Sequence, residues 1–100
     1  MMTIYEVLQT LGLDVSYGKH TKKVTPPYLM ITGAGQDHFD ADTTYYVTKD
    51  RYTIEYYYTK KDPELEKEIE RLLLEHGRRY EKSEDVYIED QDVFLIYYDI

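Results

Sequence analysis

Residues 51–59 read Arg51-Tyr52-Thr53-Ile54-Glu55-Tyr56-Tyr57-Tyr58-Thr59. The stretch is rich in aromatic and β-branched residues, which fit a pleated, half-buried surface. Side chains on a strand alternate between faces, so Tyr52, Ile54, Tyr56 and Tyr58 share one face while Arg51, Thr53, Glu55 and Tyr57 share the other. One face is apolar and the other mixed. That alternation predicts an antiparallel sheet with one face on a core and its opposite face meeting water or a partner.

Working upstream, Thr43–Thr48 has the same character, and Lys49-Asp50 reads as a turn between two strands. Tyr28-Leu29-Met30-Ile31 is a short apolar run, too short for a helix, and Gly33-Ala34-Gly35 reads as the turn that ends it. Pro26-Pro27 denies two ladder donors, so this strand is expected to begin after them. Val15-Ser16-Tyr17 could form a further brief strand. Thr3-Ile4-Tyr5-Glu6 has the form of a capping box, and Ile4, Val7, Leu8 and Leu11 then fall on one helical face. A short amphipathic helix from Thr3 to about Leu11 follows, closed by Gly12.

Downstream, Asp62-Pro63-Glu64 opens a second helix with an Asp cap, Pro in the first turn and acids near the positive dipole end. Leu65, Ile69, Leu72, Leu73 and His76 form one stripe, and Gly77 closes it. Val86–Glu89 and Val93–Tyr98 read as strands around a turn at Asp90-Gln91-Asp92. The order is α-β-β-β-α-β-β, a single α+β domain over residues 1–100 with two helices packed on an antiparallel or mixed sheet.

The chain has 100 residues, 12 basic and 20 acidic, for a net charge of −8. Nucleic-acid affinity rests largely on Lys and Arg, so direct binding to a phosphate backbone is not expected. Thirteen tyrosines against two phenylalanines and no tryptophan argue against a disordered acidic tail and suit interfaces. With no cysteine, disulfide scaffolds and Cys-ligated metals are excluded. No run approaches a membrane span and no secretory signal is evident, so a soluble protein of the cell interior is expected.

Catalytic patterns are sparse. Ser16 and Ser83 have no nucleophile motif around them, and His20, His38 and His76 lack paired metal spacing. His76 reads as a capping or partly buried histidine. The run Asp37-His38-Phe39-Asp40-Ala41-Asp42 fails as a calcium loop, because Tyr45 stands at the glycine position and Arg51 at the bidentate glutamate. It reads as a solvated acidic loop, with weak divalent binding by Asp37, Asp40 and Asp42 as the alternative. Glu64, Glu66, Glu68 and Glu70, interleaved with Lys67 and Arg71, read as an ion-paired helix exterior. No enzyme activity and no cofactor are expected.

What remains is surface. Residues 14–27 carry three lysines, a histidine and one acid, whereas 81–100 carry seven acids and one lysine. Opposed patches of this kind suit head-to-tail contacts between identical subunits, which close into rings. The alternative is that both are solvated charges. Lys19, Lys22, Lys23, Tyr57, Glu89, Asp90 and Asp92 are the candidate interface residues.

Several segments together resemble a known family: Pro26-Pro27-Tyr28 before a short strand, then Phe39-Asp40-Ala41-Asp42-Thr43 with Tyr45-Tyr46, and Tyr52-Thr53-Ile54-Glu55-Tyr56-Tyr57. Lys60-Lys61-Asp62 leading into a Leu/Ile/Glu helix, Tyr80-Glu81-Lys82-Ser83-Glu84 and the closing Ile96-Tyr97-Tyr98 complete the layout. It resembles the small tail-terminator, tail-completion or head–tail joining proteins of siphophages and prophages of Gram-positive bacteria. The resemblance implies the tail-terminator α+β fold and a ring, typically hexameric, that caps the tail tube, stops its polymerisation and joins it to the head. The implied partners are other copies, the tail tube and the head–tail connector. The implied location is the virion tail, with host cytoplasm during assembly. That family has no catalytic residues to transfer. Acid-rich walls would also repel DNA passing through such a ring. A separate class, a small acidic adaptor or inhibitor of DNA-mimic type, is the alternative; a ligand-binding or catalytic domain would need a polar pocket.

Overall fold

The computed structural model describes residues 3–18, 25–40 and 46–100. Helix α1 (Ile4–Gln9) begins as the local sequence dictates. The Glu6 amide donates to Thr3 Oγ1 at 3.2 Å, and the Thr3 amide reaches Glu6 Oε1 at 3.5 Å. This capping box satisfies amide donors that the first turn leaves unpaired and contributes about 1 kcal/mol. Helix α2 (Pro63–Glu75) has Asp62 at its cap, accepting from the Leu65 amide at 3.2 Å. It ends in a Schellman motif. Gly77 takes φ +78°, its amide donates to Leu74 and the Arg78 amide donates to Leu73. His76 is the C-cap residue and is partly buried, as its position on the stripe predicts.

Six strands form one mixed sheet: β1 (Asp14–Tyr17), β2 (Tyr28–Asp40), β3 (Tyr46–Tyr58), β4 (Glu81–Lys82), β5 (Val86–Ile88) and β6 (Val93–Asp99). The spatial order is β1-β2-β3-β6-β4, with β5 also paired to β6. Strand β1 runs parallel to β2, and the other pairings are antiparallel. The expected α-β-β-β-α-β-β order holds, with the two-residue β4 added after α2.

The individual strands differ from expectation in three places. Gly33-Ala34-Gly35 does not end β2; the strand runs on to Asp40, and pairing with β3 shifts register between Gly33 and Gln36. Glycine permits such an irregularity without a chain reversal. Asp37 and Asp40 are therefore strand residues rather than members of a loop. Lys49-Asp50 is not a turn, because these residues pair with Asp37 and Gln36 within a continuous β3. The chain reverses between Asp40 and Tyr46; Asp42 and residues 43–45 of the expected Thr43–Thr48 strand lie outside the described residues. The third strand before α2 is instead Asp14–Tyr17.

The alternation in β3 positions the core. Leu29, Tyr56 and Ile96 stand opposite one another across three strands, as do Ile31, Ile54 and Tyr98, and all six are fully buried. Leu8 of α1 with Ile69 and Leu73 of α2 cover this face. Beyond Gly33 and Tyr52, β2 and β3 continue as a two-stranded ribbon, since the β6 pairing ends at Asp99 opposite Thr53. The molecule is accordingly elongated, 51 × 26 × 25 Å, with a radius of gyration of 15.0 Å against about 13 Å for a compact chain of this length.

Candidate interaction surface

Among the described residues, the second face of the sheet carries no helix. Directly opposed residues share a face, so register defines its rows. Tyr28, Tyr57, Leu95 and Val86 form one row across β2, β3, β6 and β5. Val93 and Ile88 flank it on one side, and Met30, Glu55 and Tyr97 on the other. Tyr28, Val93 and Leu95 are buried yet stand outside the helix-covered core; Val86 and Tyr97 are 43% and 37% exposed. The rings of Tyr28 and Tyr57 stack with centroids 4.7 Å apart, and the Tyr57 hydroxyl donates to Glu55 Oε1 at 2.7 Å. Burial, then that hydrogen bond, pushes the Tyr57 phenol pKa upward, so it stays a neutral donor.

Beyond the flanking Ile88–Val93 pair, the turn between β5 and β6 is acidic. Glu89, Asp90 and Asp92 are exposed between β5 and β6, with the Gln91 amide donating to Ile88 and the Asp92 amide to Glu89. Asp92 adopts φ +53°, a left-handed conformation that Asp tolerates better than most residues. Its carboxylate accepts from the Tyr87 hydroxyl at 2.6 Å. The structure thus brings Tyr57, Glu89, Asp90 and Asp92 to one end of one sheet face. Lys19, Lys22 and Lys23 lie outside the described residues; they belong to the segment that joins β1 to β2. Sequence reading missed Tyr28, Leu95 and Val86, whose place in the row depends on cross-strand register.

A second polar cluster overturns the reading of Glu66 as helix exterior. Glu66 is 3% exposed and takes Lys61 and Lys82 at 2.8–3.0 Å. Lys82 also meets Glu70 at 2.9 Å, and Glu70 accepts from the Tyr98 and Tyr80 hydroxyls. Asp85 accepts from Lys61 and from the Tyr58 hydroxyl. Burial disfavours the Lys61 ammonium, but hydrogen bonds to Glu66 and Asp85 outweigh it and push its pKa up. Donation from Tyr58 and then Lys61 holds the Asp85 carboxyl below its ordinary value. This cluster fastens β4 and the following connection to α2, which is a structural role. Glu68 and Arg71 do pair at the solvated surface, as expected.

Beside it, a cleft of ≈ 410 Å³ opens between Pro27, Thr59, Lys60 and Leu65. Tyr56 lies beneath it, fully buried, and its hydroxyl has no hydrogen-bond partner among the described residues. Burial raises this phenol to about 12. An unsatisfied hydroxyl contributes nothing that phenylalanine would lose. Tyr56→Phe is therefore expected to leave the urea unfolding midpoint unchanged or slightly raised; a clear drop would show that the hydroxyl is engaged.

Among the described residues no group of three or more His, Asp or Glu is placed to hold a metal ion, and no helix is long and apolar enough to cross a membrane. No protein-family model matches the chain, and no curated protein matches it.

Proposed function

We propose that this chain is a structural subunit that assembles with its own copies into a ring, in the manner of a phage tail-terminator or head–tail joining protein. The observation that carries this reading is the exposed Val86 and Tyr97 beside half-buried Tyr57 on the sheet face that neither helix covers. Tyrosines and aliphatic residues on such a face favour a protein partner, because they bury well and leave a polar tip at the rim. The projecting β2–β3 ribbon adds reach, and a two-stranded ribbon is marginal unless something packs on it. The acids favour this reading over a DNA mimic: Glu66, Glu70 and Asp85 are occupied by Lys61 and Lys82 rather than displayed as a phosphate-like row.

Such rings are expected to form as concentration rises. Light scattering coupled to size exclusion, from micromolar upward to ~1 mM, where even a weak contact of about −4 kcal/mol is half-saturated, measures this directly. Closed rings in electron micrographs of the concentrated sample are the expected result. A strict monomer over the whole range would overturn the ring reading.

A further inference from the structure

We propose that residues 81–92 form a strap that lifts from the outer edge of β6 as a unit when its carboxylate ties are protonated, while the core stays closed. Burial sets this segment apart. None of its residues is buried, and only Ser83 and Ile88 are partly so, whereas Val93, Leu95, Ile96 and Tyr98 of β6 are all buried. The ladder is short as well: β4 offers two residues and β5 three, against seven in β6. The Tyr87 ring meets Phe94 with centroids 5.1 Å apart, yet Tyr87 stays 50% exposed. Segments with so little apolar burial open at less cost than a core. Both ends are fixed, one by Tyr80, packed on the core and edge-on to Tyr98, and the other by buried Val93.

Charged ties hold what apolar burial does not. Lys82 reaches Glu66 and Glu70 of α2, each at 2.9 Å, while Asp85 accepts from Lys61 at 2.9 Å and from the Tyr58 hydroxyl. Each tie needs an ionised carboxylate. Asp85 faces Tyr58 and Lys61, with the Lys82 charge nearby, and donation from the first two holds its carboxyl below the ordinary value. Glu70 faces Lys82, Tyr98 and Tyr80; burial acts to raise its pKa, but bonds from Lys82 and Tyr98 outweigh that and lower it. Glu66 faces Lys61 and Lys82. A carboxyl held low in the closed form returns to its ordinary value in the open one, so added protons favour opening. The closing contribution is complete above the ordinary carboxylate range and is lost as pH falls through about 4 and below. Protonation also relieves Glu81, which stands opposite Asp99, but both are exposed and that opposing effect is small. Opening frees the Tyr97 backbone groups on the outer edge of β6, the kind of edge that accepts another strand.

Hydrogen exchange of the full chain, followed residue by residue between about pH 7 and about pH 3.5 and corrected for intrinsic rates, tests this. The Ser83 amide donates to the Tyr97 carbonyl at 2.9 Å and the Tyr97 amide to Ser83 Oγ at 2.8 Å, so both report on the strap. Ile54 and Ile69, fully buried in β3 and α2, report on the core. Protection at Ser83 and Tyr97 is expected to fall about tenfold or more on acidification, while Ile54 and Ile69 change less than about twofold. Asp85→Asn removes one tie at neutral pH from a side chain that is 40% exposed, and circular dichroism verifies that the variant folds. It should speed exchange at Ser83 and Tyr97 about tenfold, while Glu89→Gln, at the far end of the strap, should change nothing. Parallel loss of protection at all four residues would show global unfolding and overturn the strap. So would an Asp85→Asn variant that exchanges like the parent or like Glu89→Gln.

Discussion

Glu66→Ala is expected to lower stability by about 2–3 kcal/mol, equivalent to a fall of roughly 10–20 °C in melting temperature for a domain of this size. Glu66 is nearly inaccessible, and its two oxygens take both Lys61 and Lys82. Breaking a buried pair leaves an uncompensated charge and is normally costlier still. Here the lysine side chains are 48% and 34% exposed, so they can turn toward water, and the expected loss is smaller. What they cannot replace is the anchoring of β4: Lys82 stands opposite Tyr98 on β6 and reaches Glu66 and Glu70 across the gap to α2. Hydrogen exchange should therefore accelerate at Ser83, whose amide donates to Tyr97 at 2.9 Å, before it does at Ile54 in the core. Glu68→Ala, made on the solvated flank of the same helix, serves as the control and should leave the midpoint unchanged. Equal midpoints for Glu66→Ala and the parent protein would show that the cluster is dispensable.

The contrast between Glu66 and Glu68 shows where local reading stops. Both fit an acidic helix exterior, and spacing alone cannot separate them. The difference arises because the chain returns after Gly77 and lays Lys82 beside α2, a contact between residues 66 and 82 with no local signature. The same limit explains the ribbon. Gly33-Ala34-Gly35 and Lys49-Asp50 have turn composition, yet cross-strand pairing holds both in extended structure. Local propensity for a strand is weak against such tertiary pairing. By contrast, the α1 capping box, the α2 cap and stripe, and the buried face of β3 were legible, because each depends on residues within a few positions of one another. The interaction surface was half legible. Parity placed Tyr57 on the face away from the core, and composition marked the turn at Asp90–Asp92. That Tyr28, Leu95 and Val86 extend Tyr57 into one row follows from register across four strands, which one sequence does not determine.

Tyr98→Ala is expected to cost about 3–5 kcal/mol, a large part of the roughly 5–15 kcal/mol that holds a small domain folded. Tyr98 is fully buried near the C-terminal end of β6, opposite Ile54. Its ring meets Tyr80 edge-on with centroids 5.7 Å apart, and its hydroxyl donates to Glu70 at 2.9 Å. Burial, reinforced by that bond, pushes the phenol pKa upward, so the hydroxyl stays a donor at neutral and mildly alkaline pH. Tyr98→Phe isolates the hydroxyl. Because the acceptor is a carboxylate, its loss should cost about 1.5–2 kcal/mol, the lower part of the range for charged hydrogen bonds, since Glu70 keeps Lys82 and Tyr80. Tyr56→Phe removes the same atom from the same strand layer and should cost nothing, because that hydroxyl has no partner. Urea unfolding of the three variants separates ring from hydroxyl. Equal losses for Tyr98→Phe and Tyr56→Phe would mean that the bond to Glu70 adds no net stability, and that Tyr98 acts through its ring alone.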